Sequence, residues 1–307
     1  MSLALLFPGQ GSQSVGMAAA LAEAEPAAAD VLHTADEVLG FRLSTLMADG
    51  PEEELMATKN AQPALLTHSV AVLGALGDRV GPPALAAGHS LGEFSAHVAA
   101  GTLSFEDALK AVRLRGELMF AAGLVRPGAM AAILGLDDHT VEDVCTRVER
   151  GLCVPANFNS AGQVVISGDT EAVREAMGFA KDAGAKRAIM LNVSGAFHSP
   201  LMEPAADGLR DHLAEITFRD PEFPVVSNAT SEPVTSGELA RELLVKQLTA
   251  PVGWRTSIAT MVAAGVDRFL ELGPGKVLCT LNRRIASDAA CTAIGEPGDF
   301  AALPVRT

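Results

Sequence analysis

Ser90 stands between two glycines in Gly88-His89-Ser90-Leu91-Gly92. A short apolar run, "PALAAG", precedes it, and the helix-like run "EFSAHVAA" follows. Strand, tight turn and helix in that order form the elbow that exposes a serine hydroxyl at the tip of a sheet. The glycines allow the cramped backbone, and the helix N-terminus supplies free N–H groups for a developing oxyanion. An unactivated serine is a poor nucleophile and needs a base. Of the seven histidines, His89 adjoins the serine but points another way in such a turn. His97 reads as a partly exposed residue of the following helix, and His33, His68, His139 and His212 lie in helix-like stretches. His198, in "SGAFHSP", follows a strand-like run and sits in a loop among small residues. Loop placement suits a base, although a lone loop histidine carries little weight by itself.

The elements that would position these residues are legible in outline. The run "LALLF" (3–7), closed by Pro8-Gly9, reads as a first buried strand. Helical patterns cover 15–24, 27–38 and 62–76, the last with Pro63 near its start, and "LGEFSAHVAAG" reads as a helix ending at Gly101. Residues 129–192 have a separate rhythm, with "AMAAILGL", "LCVPANF", "QVVISG" and "KRAIMLNV" strand-like and two helical runs between them. The second of these runs takes Asp169 or Thr170 as its N-cap. That βαββαβ order is ferredoxin-like. The expected fold is therefore α/β, with a hydrolase-like parallel-sheet core formed by residues 1–126 and 193–307 and a small ferredoxin-like subdomain inserted at 127–192. "PVVSN" and "RFLELG" read as further strands, and 238–248 and 256–264 as helices.

Composition narrows the functional classes. Hydrophobic residues make up 49% of the 307, enough for a large core. No apolar run reaches membrane-span length, and the first residues lack the basic region of a signal peptide. A net charge of −14 argues against nucleic acid as a partner. Cys145, Cys153, Cys279 and Cys291 show no CxxC spacing and no dense framework, which points to a reducing cytoplasm and away from structural zinc. The loops "GQGSQ" and "GPGK" lack the Gly-Lys-Ser/Thr of a nucleotide-binding phosphate loop, and the second reads as a structural turn.

Seven segments occur together and in order: "FPGQGSQ" (7–13), "GHSLGEFSA" (88–96), "RLRGELM" (113–119), "NFNSAGQVVISG" (157–168), "AFHSPLM" (196–202), "QLTAPVGW" (247–254) and "ELGPGKVL" (271–278). Together they resemble the malonyl-CoA:acyl carrier protein transacylases and the acyltransferase domains of polyketide synthases, over about residues 3–285. The resemblance implies Ser90 as the acyl-accepting nucleophile and His198 as its base. It implies oxyanion contacts from the backbone N–H groups of Gln10 and Leu91, and a backbone carbonyl of Gln247 that orients the histidine. Arg115 matches the arginine that grips the free malonyl carboxylate, a task suited to a planar guanidinium that stays charged. Phe197 matches a position of acyl selectivity. The implied reaction is ping-pong transfer of malonyl from malonyl-CoA to the phosphopantetheine thiol of an acidic, transiently bound acyl carrier protein. It needs no metal or bound cofactor, and the implied enzyme is a cytoplasmic monomer supplying fatty acid synthesis. A trans-acting acyltransferase of polyketide synthesis and a serine thioesterase or hydrolase share much of this machinery. A buried cation at 115 favours transfer, since a generic esterase has no use for it.

Overall fold

In the computed structural model, residues 2–193 and 195–303 are described. The chain opens with β1 (Ser2–Phe7), α1 (Ala19–Ala24), α2 (Pro26–Leu39), α3 (Leu43–Asp49), α4 (Glu52–Met56) and α5 (Thr58–Leu76). β2 (Leu85–Gly88), α6 (Gly92–Ala99) and α7 (Phe105–Val125) follow. A second group comprises β3 (Gly128–Leu134), α8 (Asp138–Thr146), β4 (Cys153–Ser160), β5 (Gln163–Asp169), α9 (Thr170–Asp182) and β6 (Arg187–Met190). The chain then adds α10 (Glu203–Ala214), β7 (Val225–Val226), β8 (Pro233–Val234), α11 (Gly237–Lys246), α12 (Trp254–Ala263), β9 (Val266–Leu272), α13 (Val277–Ile285) and β10 (Ala290–Ile294).

Six strands form one sheet in the order β10-β9-β1-β2-β7-β8, parallel except for the final β7–β8 pair. Parallel strands covered on both faces read as unbroken apolar runs rather than alternating ones. This explains why Leu3 to Phe7 are all buried. Their side chains divide between two cores. Leu3, Leu5 and Phe7 pack with the α2, α5 and α7 side, and Ala4 and Leu6 with Trp254, Ile258 and Phe269 on the other. The second sheet runs β4-β5-β3-β6, antiparallel throughout, with α8 and α9 against one face. This is the order that a βαββαβ unit of the ferredoxin type adopts. It joins the larger sheet's layer at β4, where Phe158 N–H donates to the Val252 oxygen (2.9 Å) and Val252 N–H to that of Ala156 (2.8 Å).

Several local expectations need correcting. The first helix begins at Ala19 rather than Val15, because the chain turns through 15–18 with Ala18 in a left-handed conformation, φ 64°. α5 starts at Thr58, so Pro63 lies inside it. Proline there leaves the carbonyl one turn back without its helical N–H. That carbonyl, on Lys59, accepts instead from Arg113 Nη1 at 3.0 Å, so the helix continues. Asp169 occupies the N-cap of α9 without capping it. Its carboxylate takes both Arg126 nitrogens at 2.8 Å and the Leu152 N–H at 2.7 Å. His97 is fully buried, not partly exposed. Strands β8 and β10 had no counterpart in the sequence reading. The cysteines also depart from expectation: Cys279 and Cys291 are joined in a disulfide, between α13 and β10, while Cys145 and Cys153 are free and buried.

Candidate active site

The site lies where β1 and β2 end side by side, at the carboxyl edge of the parallel strands, the usual location for ligands in such sheets. The turn after β2 is tightly built. An added Cβ on Gly88 would lie 1.8 Å from the Gly92 carbonyl carbon, and one on Gly92 would lie 2.1 Å from the Phe7 oxygen. No other residue fits either position. Ser90 itself is left-handed, φ 52°, as is His198, φ 56°. Non-glycine residues adopt this conformation only when their surroundings enforce it. At Ser90 the enforcing group is Asn228, just beyond β7. Its Oδ1 accepts from the Ser90 N–H (2.6 Å) and its Nδ2 donates to the Gly88 oxygen (2.7 Å).

Ser90 Oγ lies 2.8 Å from His198 Nε2, and His198 Nδ1 lies 2.9 Å from the backbone oxygen of Gln247. A carbonyl can only accept, so Nδ1 carries the ring proton and Nε2 is bare, ready to take the serine proton. Gln247 terminates α11, so the carbonyl belongs to the negative end of that helix dipole. Burial, followed by the nearby Arg115 charge, pushes the His198 pKa down to about 3. The imidazole is therefore neutral at rest.

Arg115 is only 1% exposed. Its Nη1 donates to Gln62 Oε1 (2.8 Å), and its Nη2 donates to Gln247 Oε1 (2.9 Å) and to Ser90 Oγ (3.2 Å). Burial lowers its pKa to about 10, with the Glu93 charge opposing, so it remains a cation at neutral pH. Arg113, two residues away, is partly solvated and pairs with Glu117.

Gln10, His89, Ser90, Leu91, Arg115, Phe197 and His198 all line one cavity of about 300 Å³. Met119 and Met130 add apolar wall, while Asn157, Asn159 and Leu191–Val193 come from the second sheet and the segment after it. The structure thus brings together six of the seven residues singled out in the sequence around one space. The seventh, Gln247, reaches it through His198 and Arg115. Ser90 N–H is occupied by Asn228, and Leu91 follows it at the start of α6. Gln10 is held by a bond from its Nε2 to Thr58 Oγ1 (3.2 Å).

Sequence reasoning missed Gln62, Asn228 and Glu93. Gln62 sits in an ordinary helical pattern, and nothing in "PVVSN" distinguishes the asparagine. Glu93, in the first turn of α6, is fully buried, which no local pattern announces. His89 was set aside as a base correctly in one respect, since its Nε2 is bonded to Asn159 Oδ1 (2.8 Å) and its ring packs against Trp254.

An elbow serine, a bare imidazole nitrogen and a buried guanidinium meet on one small cavity, an arrangement suited to acyl transfer. In agreement, residues 4–295 match the family described as the acyl transferase domain, and the chain belongs to that family. Among its relatives, the malonyl CoA-acyl carrier protein transacylase of Escherichia coli (strain K12) is 48% identical over 301 residues, 97% of each chain. The protein of that name from Bacillus subtilis (strain 168) is 47% identical over 96% of this chain and 94% of its own. An acyl carrier protein S-malonyltransferase from Vibrio cholerae superposes with a TM-score of 0.95 at 43% identity, covering 99% of this chain and 100% of its own. A malonyl-transacylase solved in complex with a type II PKS acyl-carrier protein also superposes at 0.95, with 44% identity and 99% coverage of both chains.

Proposed function

We propose that this protein transfers the malonyl group of malonyl-CoA to the phosphopantetheine thiol of an acyl carrier protein, through a malonyl ester on Ser90, and so supplies fatty acid synthesis. The observation that carries the reading is the buried Arg115 guanidinium 3.2 Å from Ser90 Oγ. A short dicarboxylic acyl group on that oxygen would bring its free carboxylate against a cation that cannot lose its charge at neutral pH.

In the first half-reaction, His198 Nε2 takes the Ser90 proton as Oγ attacks the thioester carbonyl. The backbone N–H groups of Leu91 and Gln10 receive the oxyanion, and the Gln247 carbonyl steadies the imidazolium. A neutral carbonyl does this less strongly than a carboxylate would, which suits a thioester, a better acyl donor than an amide. His198 then returns the proton to the departing CoA sulfur. In the second half-reaction, the carrier thiol gives its proton to the same nitrogen and attacks the malonyl ester. Ser90 recovers the proton as the new thioester leaves. Phe197 walls the acyl end of the cavity and limits branching at the malonyl carbon. Residues 127–192 serve as a small subdomain that closes the cavity from above a body made of 1–126 and 193–307. The carrier docks transiently, the enzyme acts in the cytoplasm as a monomer, and the chemistry needs no metal or resident cofactor.

Intact-mass analysis tests the proposal. Malonyl-CoA should add one malonyl group to the wild-type chain and none to Ser90→Ala, and a holo carrier should discharge it. Rapid release of free malonate without a carrier would make the protein a hydrolase. Because one solved neighbour was captured with a polyketide carrier, carriers of both kinds belong in the discharge step.

A further inference from the structure

Glu93 is a buried carboxyl group inside the site that the reaction above does not use. It lies on the first turn of α6, and its Oε2 accepts from Gln247 Nε2 (2.7 Å) and from Asn228 N–H (3.0 Å). Gln247 Nε2 also donates to the backbone carbonyl oxygen of Ser90 (2.9 Å), while the amide oxygen of the same side chain accepts from Arg115. One glutamine amide therefore separates the buried acid from the buried base. With Glu93 ionised, the pair is close to neutral and stable without a ligand. A malonyl ester on Ser90 adds a second carboxylate to the same guanidinium. Two anions beside one cation, with Glu93 and Arg115 both buried, cannot all stay ionised cheaply.

Resting on the malonyl-serine reading above, we infer that Glu93 is the resident counter-ion of Arg115 and takes up one proton from solvent when the malonyl carboxylate binds. The step balances as one carboxylate plus one proton giving one carboxylic acid, with no bond to substrate. The protonated acid keeps one oxygen to accept from Gln247 and Asn228, so the Ser90 turn keeps its shape while the site's charge is restored. A monocarboxylic acyl group, such as acetyl, brings no second anion and calls for no proton.

Other titrating groups near Glu93 stay silent in the useful pH range. The elements packed on α6 are β1, β2 and β7, which carry no ionisable side chain, together with α5 and α7. The buried ionisable residue of α7 is Arg115, lowered only to about 10, and that of α5 is His68, lowered by burial to about 4. His97, one turn along α6, and His198 are lowered to about 3, and burial also lowers His89. Glu93 itself is raised by burial to about 7, despite its hydrogen bonds and the Arg115 charge.

The test is the loading equilibrium, acyl-CoA plus enzyme against acyl-enzyme plus CoA, read by intact mass from pH 6.5 to 8.5 with malonyl-CoA and acetyl-CoA. The malonyl constant divided by the acetyl constant should fall by up to about tenfold per pH unit above pH 7, the limit for uptake of one proton. In Glu93→Gln, which imitates the protonated acid, that ratio should be flat. A direct count follows from the heat of malonyl loading in two buffers of different ionisation enthalpy at pH 8. It should give close to one proton taken up by the wild-type enzyme, and none with acetyl. Parallel pH profiles for the two acyl groups, or a zero proton count, would overturn the inference, and both readouts use the wild-type chain should Glu93→Gln not fold. Absence of any malonyl-enzyme would instead sink the proposed function.

Discussion

Asn228 clamps Ser90 from both sides, accepting its N–H at 2.6 Å and donating to the oxygen of Gly88, two residues upstream, at 2.7 Å. A left-handed serine relaxes unless such bonds hold it. Asn228→Ala should therefore lower acyl-enzyme formation by 10- to 100-fold and stability by about 1–3 kcal/mol, the cost of stranding buried polar groups. Stopped-flow loading and urea unfolding measure the two. A variant that loads at the wild-type rate would show that the elbow holds itself.

Arg115 should discriminate between acyl groups. Arg115→Ala is expected to weaken malonyl loading by about 2–4 kcal/mol and acetyl loading much less. Arg115→Lys should recover little, because one ammonium cannot reproduce donation from two guanidinium nitrogens to Gln62, Gln247 and substrate together. Competition between the two CoA esters reads this directly, and equal losses for both would assign the residue to the fold.

His97 offers a pH test of stability. Its folded pKa is depressed to about 3 by burial, below the ordinary 6.5. The unfolded chain therefore binds a proton first as pH falls, and the stability associated with the neutral ring is lost progressively below pH 6.5. Neither ring nitrogen has a hydrogen-bond partner among the described residues. His97→Leu should accordingly gain on the wild type by about 1.4 kcal/mol per pH unit at most between pH 6 and 4. Denaturant unfolding at pH 7.5, 5.5 and 4.5 would reveal that slope, and a constant difference would contradict it.

The Cys279–Cys291 bond spans 12 positions. Closing a loop of that size removes unfolded-state entropy worth about 3 kcal/mol. Cys291→Ser, or treatment with a reductant, should destabilise the protein by roughly that amount. Thiol titration of the unreduced, unfolded chain should count two free cysteines, and four would refute the bridge.

Glycines separate into fixed and free ones. Gly178 lies exposed within α9, with nothing within 4 Å of an added Cβ. Gly178→Ala should stabilise by about 0.5–1 kcal/mol through helix propensity. Gly88→Ala should prevent folding, because its Cβ would overlap the Gly92 backbone. Thermal melts of the first variant and soluble yield of the second decide.

Much of this site could be read from the chain because it is built from segments whose local signals are strong. The β2–turn–α6 elbow carries its glycines in sequence, and the seven ordered motifs mark Ser90, Arg115, His198 and Gln247 although they are far apart. The ferredoxin-like segment announced itself by alternating short strands and helices. What stayed hidden depends on tertiary partners. Pro63 looked like a helix start because its rescue by Arg113 is 50 residues downstream. Asp169 looked like a cap because Arg126 and Leu152 were not in view. His97 looked like a partly exposed helix residue and Glu93 drew no notice, whereas residues 92–97 of α6 are all buried. β10 is a five-residue run of mostly small side chains, only its last residue buried, and a 12-residue cysteine spacing has no distinguishing pattern.

The third member of the Ser90–His198 arrangement is a main-chain oxygen, and this determines what mutagenesis can reach. Any amino acid placed at 247 retains that acceptor, so the histidine cannot be unmoored by a side-chain change there. Replacements at 247 instead edit only the amide that couples Arg115, Glu93 and the Ser90 turn. A panel of such variants would vary the enzyme's choice of acyl group while leaving its proton shuttle anchored, separating recognition from chemistry at a single codon.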